Sequence, residues 1–184
     1  MPFQRPFALL AISGSLRRAS TNSAVVRAVA RLAAAHVRVT IFDGLGDLPA
    51  FSPDQDDLGA PDAVIRFRTA LASSDALLIC SPEYAHGMPG ALKNALDWVV
   101  ASGELIDKPV ALINASPRAT HAFASLTETL TVMSARIVPA ASITLPMQGR
   151  MIDANGIVDD GELSAALKWA VDTLVTAARE PVPF

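Results

Sequence analysis

Short apolar runs that alternate with segments of helical periodicity constrain this chain more than anything else in it. Phe7 to Ser13 is the first run and ends in Gly14-Ser15, the pattern of a fully buried strand. From Asn22 to Ala35, Val25, Val26, Val29, Leu32 and Ala33 recur at helical spacing, with Arg27 and Arg31 on another face. Val37 to Phe42 alternates as a second strand, and Asp43 to Pro61, rich in Gly, Pro and Asp, reads as a long surface loop. Asp62 is placed to cap a helix running to about Ser74. Ala76 to Cys80 and Lys108 to Asn114 are the third and fourth strands, separated by a helix over Pro89 to Ala101. A helix over Phe123 to Ser134, a fifth strand over Arg136 to Ile143 interrupted at Pro139, and a closing helix over Asp160 to Ala178 complete the order.

Such alternation implies βαβ units, a parallel sheet, and right-handed crossovers that place helices on both faces. Five strands in 184 residues, with no linker or internal repeat, predict one domain over residues 1–184. The expected class is flavodoxin-like α/β: a three-layer α/β/α sandwich around a five-stranded parallel sheet of order 2-1-3-4-5. Ligands of such sheets lie at the carboxyl ends of the strands, here in the crevice between strands one and three. Aromatic residues are only 5% of the chain, so the core must be built from closely packed Ala, Val, Leu and Ile. A net charge of -3 with scattered acids and bases gives no nucleic-acid surface. The apolar runs fall far short of the roughly 20 residues that span a bilayer, and no secretory signal is evident. One cysteine, Cys80, makes no internal disulfide, and no Cys/His spacing suits zinc, so a cytoplasmic protein without a metal site is expected.

The two most unusual loops follow strands one and three. In Gly14-Ser15-Leu16-Arg17-Arg18-Ala19-Ser20-Thr21-Asn22, Gly14 permits a sharp turn and the helix beyond offers unpaired N–H groups. Ser15, Ser20, Thr21 and Asn22 add hydroxyl and amide donors, and Arg17 can make paired, charge-assisted hydrogen bonds to an anion such as a phosphate monoester. Capping alone would also account for Ser20 to Asn22 if the arginines are solvated, and composition does not say which anion. Rival phosphate motifs are absent: there is no P-loop, and Pro49 stands where a dinucleotide fingerprint beginning at Gly44-Leu45-Gly46 needs its third glycine. No Gly-x-Ser-x-Gly elbow supports a serine hydrolase. In Ser81-Pro82-Glu83-Tyr84-Ala85-His86-Gly87-Met88-Pro89-Gly90, two prolines stiffen a loop whose exposed amides and carbonyls suit the edge of a planar heterocycle. Tyr84 and Met88 can lie against a ring face.

Gly14-Ser15-Leu16-Arg17 with Ser20 and Asn22, then Pro82-Glu83-Tyr84, then Pro89-Gly90-Ala91-Leu92-Lys93-Asn94-Ala95-Leu96-Asp97-Trp98, resemble the NADPH-dependent FMN reductase family, which includes quinone, chromate and azo-dye reductases. The resemblance runs through Leu48-Pro49-Ala50-Phe51 and covers roughly residues 7 to 118. It implies that Ser15, Arg17, Ser20, Thr21 and Asn22 hold the FMN phosphate. Pro82, Glu83, Tyr84, Ala85, His86 and Gly87 would lie along the isoalloxazine ring, with Ser116 of the Ala115-Ser116-Pro117-Arg118 loop also approaching it. The family usually has Asn after the tyrosine, where this chain has Ala85; the side-chain amide is lost while backbone contacts can survive.

The activity so implied is an oxidoreductase in which NADPH or NADH reduces bound FMN and the flavin reduces a small-molecule acceptor: a quinone, an azo compound, chromate or free flavin. A homodimer or homotetramer is implied as well. The residues do not choose between NADH and NADPH, and no catalytic side chain is assigned. A flavodoxin-type electron carrier and a flavin-binding protein without turnover are the competing readings; Arg17 and the modest charge count against the carrier. Lys93, Asn94, Asp97 and Trp98 share one helix, where Lys93 and Asp97 are spaced for an intrahelical ion pair and for orienting the preceding loop or a subunit contact; the Asp43 to Pro61 loop and the helix around Trp98 are candidate subunit contacts. Cys80 reads as core, His86 as ligand contact or solvated, and His36 and His121 have no evident partner.

Overall fold

The computed structural model describes residues 5–147 and 152–180. Strands β1 (Phe7–Ser13), β2 (Val37–Phe42), β3 (Ala76–Cys80) and β4 (Pro109–Asn114) pair in parallel with the short β5 (Arg136–Ile137), in the order β2-β1-β3-β4-β5. The expected order 2-1-3-4-5 is the observed one. Continuous apolar runs form these strands because both faces of the sheet are covered. Leu9, Ala11, Leu78, Cys80, Ala111 and Ile113 point to one face, where α1 (Thr21–Leu32), α6 (Ala154–Asp159) and α7 (Gly161–Arg179) pack. Their neighbours Leu10, Ile12, Leu77, Ile79, Val110 and Leu112 point to the other, under α3 (Asp62–Ala72), α4 (Gly90–Asp97) and α5 (Thr120–Val132).

The Asp43 to Pro61 segment is not a plain surface loop. It holds a 3-10 turn over Gly44–Asp47 and a short helix α2 (Pro53–Asp57), and it buries Leu45 and Leu48 in the core under α3 and α4. Its fastening comes from a distance: the Asn94 side chain accepts from the Phe51 amide (2.8 Å) and donates to the Pro49 carbonyl (2.8 Å), which also accepts from Trp98 Nε1 (2.8 Å). Asn94 and Trp98 therefore orient the Leu48–Phe51 stretch, and Trp98 is fully buried, so it is no subunit contact. The Lys93–Asp97 ion pair forms as its spacing predicts, on the exposed side of α4.

Helix boundaries moved where tertiary bonds intervene. Helix α4 stops at Asp97 instead of Ala101, because the Arg68 guanidinium takes the Trp98 carbonyl (2.5 and 3.0 Å) and the following residues tighten into i→i−3 turns. Asp62 is the first helical residue of α3 and Pro61 occupies the cap position, so Asp62 caps nothing with its side chain. The fifth strand divides at Pro139: a 3-10 turn over Pro139–Ala141 separates β5 from β6 (Ile143–Thr144), both on the outer edge of β4. Across the gap the Ser142 hydroxyl accepts from the Leu112 amide (3.1 Å) and donates to the Val138 carbonyl (2.9 Å), replacing the lost ladder bond. Helix α6, absent from the sequence reading, is capped by Asp153, whose side chain accepts from the Gly156 amide (2.9 Å).

Candidate functional site at the carboxyl ends of the strands

The loop after β1 is built to touch the loop after β3. The Gly14 amide donates to the Cys80 carbonyl (2.9 Å), and a Cβ on Gly14 would lie 2.4 Å from Ser81 Oγ and 2.9 Å from Ser81 Cβ. Only glycine lets the two turns approach this closely. Asn22, buried in the first turn of α1, accepts from the Cys80 thiol (3.2 Å) and locks helix to strand. Ser20 caps α1 by accepting from the Asn22 and Ser23 amides, and the Ser15 hydroxyl accepts from the Arg17 amide (3.3 Å). Ser15, Ser20 and Asn22 are buried, Thr21 is half-buried, and Arg17 is exposed. The Leu16 and Arg18 amides and the Arg17 guanidinium have no partner among the described residues. Unfilled donors around a cationic side chain at a helix start form an anion-binding concavity.

After β3 the chain makes a miniature hairpin. Tyr84 and Gly87 exchange both backbone hydrogen bonds (2.9 and 3.0 Å) around Ala85 and His86, which both adopt left-handed backbone at φ 49° and 60°. Such a two-residue turn favours Asn and Gly at its centre, since other residues meet their own carbonyl there. The Asn usual at the Ala85 position thus has a conformational reason independent of any ligand. Three ties hold the strained turn. The Glu83 carboxylate accepts from the Ala122 amide (2.9 Å) at the start of α5, and the His86 and His121 rings stack at 4.2 Å with 19° between planes. Pro82 and Pro89 stiffen the flanks. Tyr84 is left 54% exposed above the loop, an aromatic face open to a partner.

Beyond β4, buried Asn114 donates to the Ala119 carbonyl (3.2 Å) and accepts from the Ser116 amide (3.0 Å), shaping the turn that carries half-buried Ser116. All three loops occupy one end of the sheet, as the strand order requires. Burial pushes the Cys80 thiol far above its ordinary range, so Cys80 is a core residue and no nucleophile. No cluster of three metal-ligating side chains occurs among the described residues, and none of their helices is long and apolar enough to cross a membrane.

Residues 7–149 match the NADPH-dependent FMN reductase family. The chain belongs to that family. It is 34% identical over 157 residues to an NAD(P)H-dependent FMN reductase of Pseudomonas aeruginosa, covering 79% of this chain and 84% of the relative. It is 35% identical over 120 residues to a quinone reductase of Pseudomonas putida, 64% of each chain. Among solved structures, the flavoenzyme NAD(P)H:(acceptor) oxidoreductase of Paracoccus denitrificans superposes with a TM-score of 0.73 at 28% identity, over 92% of this chain and 98% of that one. As a member of the FMN reductase family the chain is an FMN-dependent, NAD(P)H-consuming oxidoreductase with a flavodoxin-like fold.

The donor set fits FMN: unfilled amides and Arg17 suit its phosphate, and the hairpin with Tyr84 suits the edge and face of its ring. The Glu83 side chain is spent on α5, a tie the sequence does not suggest, and the Ser20 hydroxyl is spent on the α1 cap, as its capping position allows. His121, for which the sequence showed no partner, is the residue that braces His86. Nothing in linear spacing joins positions 86 and 121; only the packing of α5 beside the hairpin does.

Proposed function

We infer that residues 1–184 act as one FMN-binding reductase whose acceptors are quinones. Ser15, Arg17, Thr21 and the amides between them hold the FMN phosphate, with Ser20 and Asn22 shaping the nest. The backbone from Pro82 to Gly87 lines the ring, Tyr84 covers it, and Ser116 completes the wall. The observation that supports this reading is the close approach of the two loops at Gly14 and Ser81, one carrying unbonded amides and Arg17, the other the exposed Tyr84. When bound, FMN supplies the hydride chemistry between NAD(P)H and the acceptor, and no acid–base pair of the protein is required for it. The chain's own residues position the flavin and leave one open face, so donor and acceptor use the same opening in turn.

Purified protein should be yellow, with a flavin absorption band that bleaches on NADPH addition and returns on adding a benzoquinone. Colourless protein that takes up no FMN, or bound FMN that NAD(P)H leaves oxidised, overturns the reading. Replacing Arg17 by Ala removes a charge-assisted hydrogen bond of about 1.5–3 kcal/mol and should weaken FMN binding roughly 10- to 150-fold. A cytoplasmic homodimer or homotetramer is the accompanying proposal. Val100 and Ile106, exposed in the turns after α4, offer the apolar contact surface, and sedimentation equilibrium of the holoprotein tests it.

A further inference from the structure

Among the described residues, two side-chain contacts tie the hairpin after β3 to the first turn of α5. The Glu83 carboxylate accepts from the Ala122 amide (2.9 Å), and the His86 ring lies over the His121 ring, 4.2 Å between centroids and 19° between planes. Both histidines are exposed, so ring-to-ring contact rather than core packing keeps them together. The contact holds backbone that would otherwise relax. Ala85 and His86 sit at φ 49° and 60°, a left-handed pair that residues other than glycine adopt at a cost. A strained turn keeps its shape only where its surroundings impose it.

Stacked imidazoles attract one another when neutral, and one proton is tolerated because a cation over a π face is favourable. Two protons are not. Histidine changes charge between about pH 5 and pH 8, and like charges 4.2 Å apart in water disfavour the stacked arrangement about fivefold. We propose that His121 is a positioning residue for the flavin-ring loop: stacked on His86 it holds the hairpin closed, and it lets go when both rings carry a proton, so that the enzyme grips FMN less tightly in acid.

The proposal rests on the reading that the backbone from Pro82 to Gly87 lines the isoalloxazine ring. Charges on the surrounding elements act on the pair in opposite directions. Glu83, in the hairpin itself, attracts a proton to the rings. Arg118, in the loop before α5, and the electropositive start of α5 oppose one on His121. On α4, which follows the hairpin, Lys93 and Asp97 neutralise one another. Carboxylates such as Glu83 and phenols such as Tyr84 ordinarily titrate outside the interval from pH 5.5 to pH 7.5, which leaves the stacked pair as the group that changes. His36, the remaining histidine of the chain, precedes β2 at the amino end of the sheet, away from these loops.

The test compares wild type, His121→Ala and His121→Phe at pH 7.5 and pH 5.5. Two quantities are read: FMN affinity by fluorescence quenching, and hydrogen exchange at the Tyr84 and Gly87 amides, whose mutual bonds close the hairpin. His121→Ala should weaken FMN binding about two- to tenfold at pH 7.5, and His121→Phe, which keeps a flat ring without a proton site, should restore it. Between pH 7.5 and pH 5.5 the protection of the two amides in wild type, corrected for intrinsic exchange, should fall about three- to fivefold, and in His121→Phe it should hold. The FMN phosphate gains a proton near pH 6 in every variant alike, so the ratio of wild type to His121→Phe isolates the pair; that ratio should also fall about three- to fivefold. Equal pH dependence in wild type and His121→Phe overturns the proposal, as does full FMN affinity in His121→Ala at pH 7.5. If FMN binds at pH 7.5 while protection at Tyr84 and Gly87 is indifferent to acid, the flavin reading stands and the proposal fails. Wild type that binds no FMN at either pH sinks the flavin reading itself.

Discussion

Gly14→Ala tests whether the two loops form one site. The added Cβ would lie 2.4 Å from Ser81 Oγ, 2.9 Å from Ser81 Cβ and 3.2 Å from Leu92 Cδ2. Rotating Ser81 about χ1 removes the first contact but not the second, so the backbone of one turn must retreat by a few tenths of an ångström. That movement strains the Gly14–Cys80 hydrogen bond, now 2.9 Å, and pulls the anion nest away from the hairpin. Overpacking of this kind costs about 1–3 kcal/mol. For a chain of this length the Tm should fall by roughly 2–12 °C, and FMN affinity should drop with it. The assays are circular-dichroism melting of apoprotein and FMN fluorescence-quench titration. The Gly14→Ala/Ser81→Gly double variant removes both Ser81 atoms and should recover much of the loss relative to Ser81→Gly alone, a coupling that a double-mutant cycle isolates. A Gly14→Ala protein with native Tm and FMN affinity refutes the reasoning; so does a double variant in which the two losses simply add.

Ala85→Gly should raise stability by about 0.5–1 kcal/mol in a denaturant titration, because relief of the left-handed strain exceeds glycine's entropic cost; a destabilised variant would show that the turn is unstrained. At the opposite end of the sheet, partial burial works against the Asp75 charge, but Arg5, the Ala8 amide and Lys108 together hold its carboxyl below the usual carboxylate range. A depressed acid contributes stability above its unfolded pKa of about 3.9 and loses it as pH falls through the folded value, so Asp75→Asn should flatten the fall in urea midpoint between about pH 5 and pH 2. An unaltered pH slope would count against that ion pair. Cys80 should resist thiol reagents in the native protein and react at once in denaturant, and rapid native labelling would contradict its burial.

Local sequence determined where the strands run and in which order they pair. Unbroken apolar runs have one stable use in a chain of this kind, the interior of a parallel sheet, and the helices between them dictate right-handed crossovers. The cap at Ser20 was equally legible, since its partners lie two and three residues away. The two loops proposed to hold phosphate and ring, Gly14 to Asn22 and Pro82 to Gly87, stood out because each is a continuous stretch. Tertiary structure alone decided what reaches across. Helix α5 begins at Thr120, ahead of the expected Phe123, because its cap position is Ala119 and the carboxylate of Glu83 serves instead. Asp43 to Pro61 looked solvated by composition, yet Asn94 and Trp98 pin it and bury Leu45 and Leu48. The His86–His121 stack is likewise a meeting of distant segments. Periodicity and turn chemistry act over a few residues, so they specify elements and caps; contacts between loops depend on how helices settle on the sheet, which no local pattern encodes.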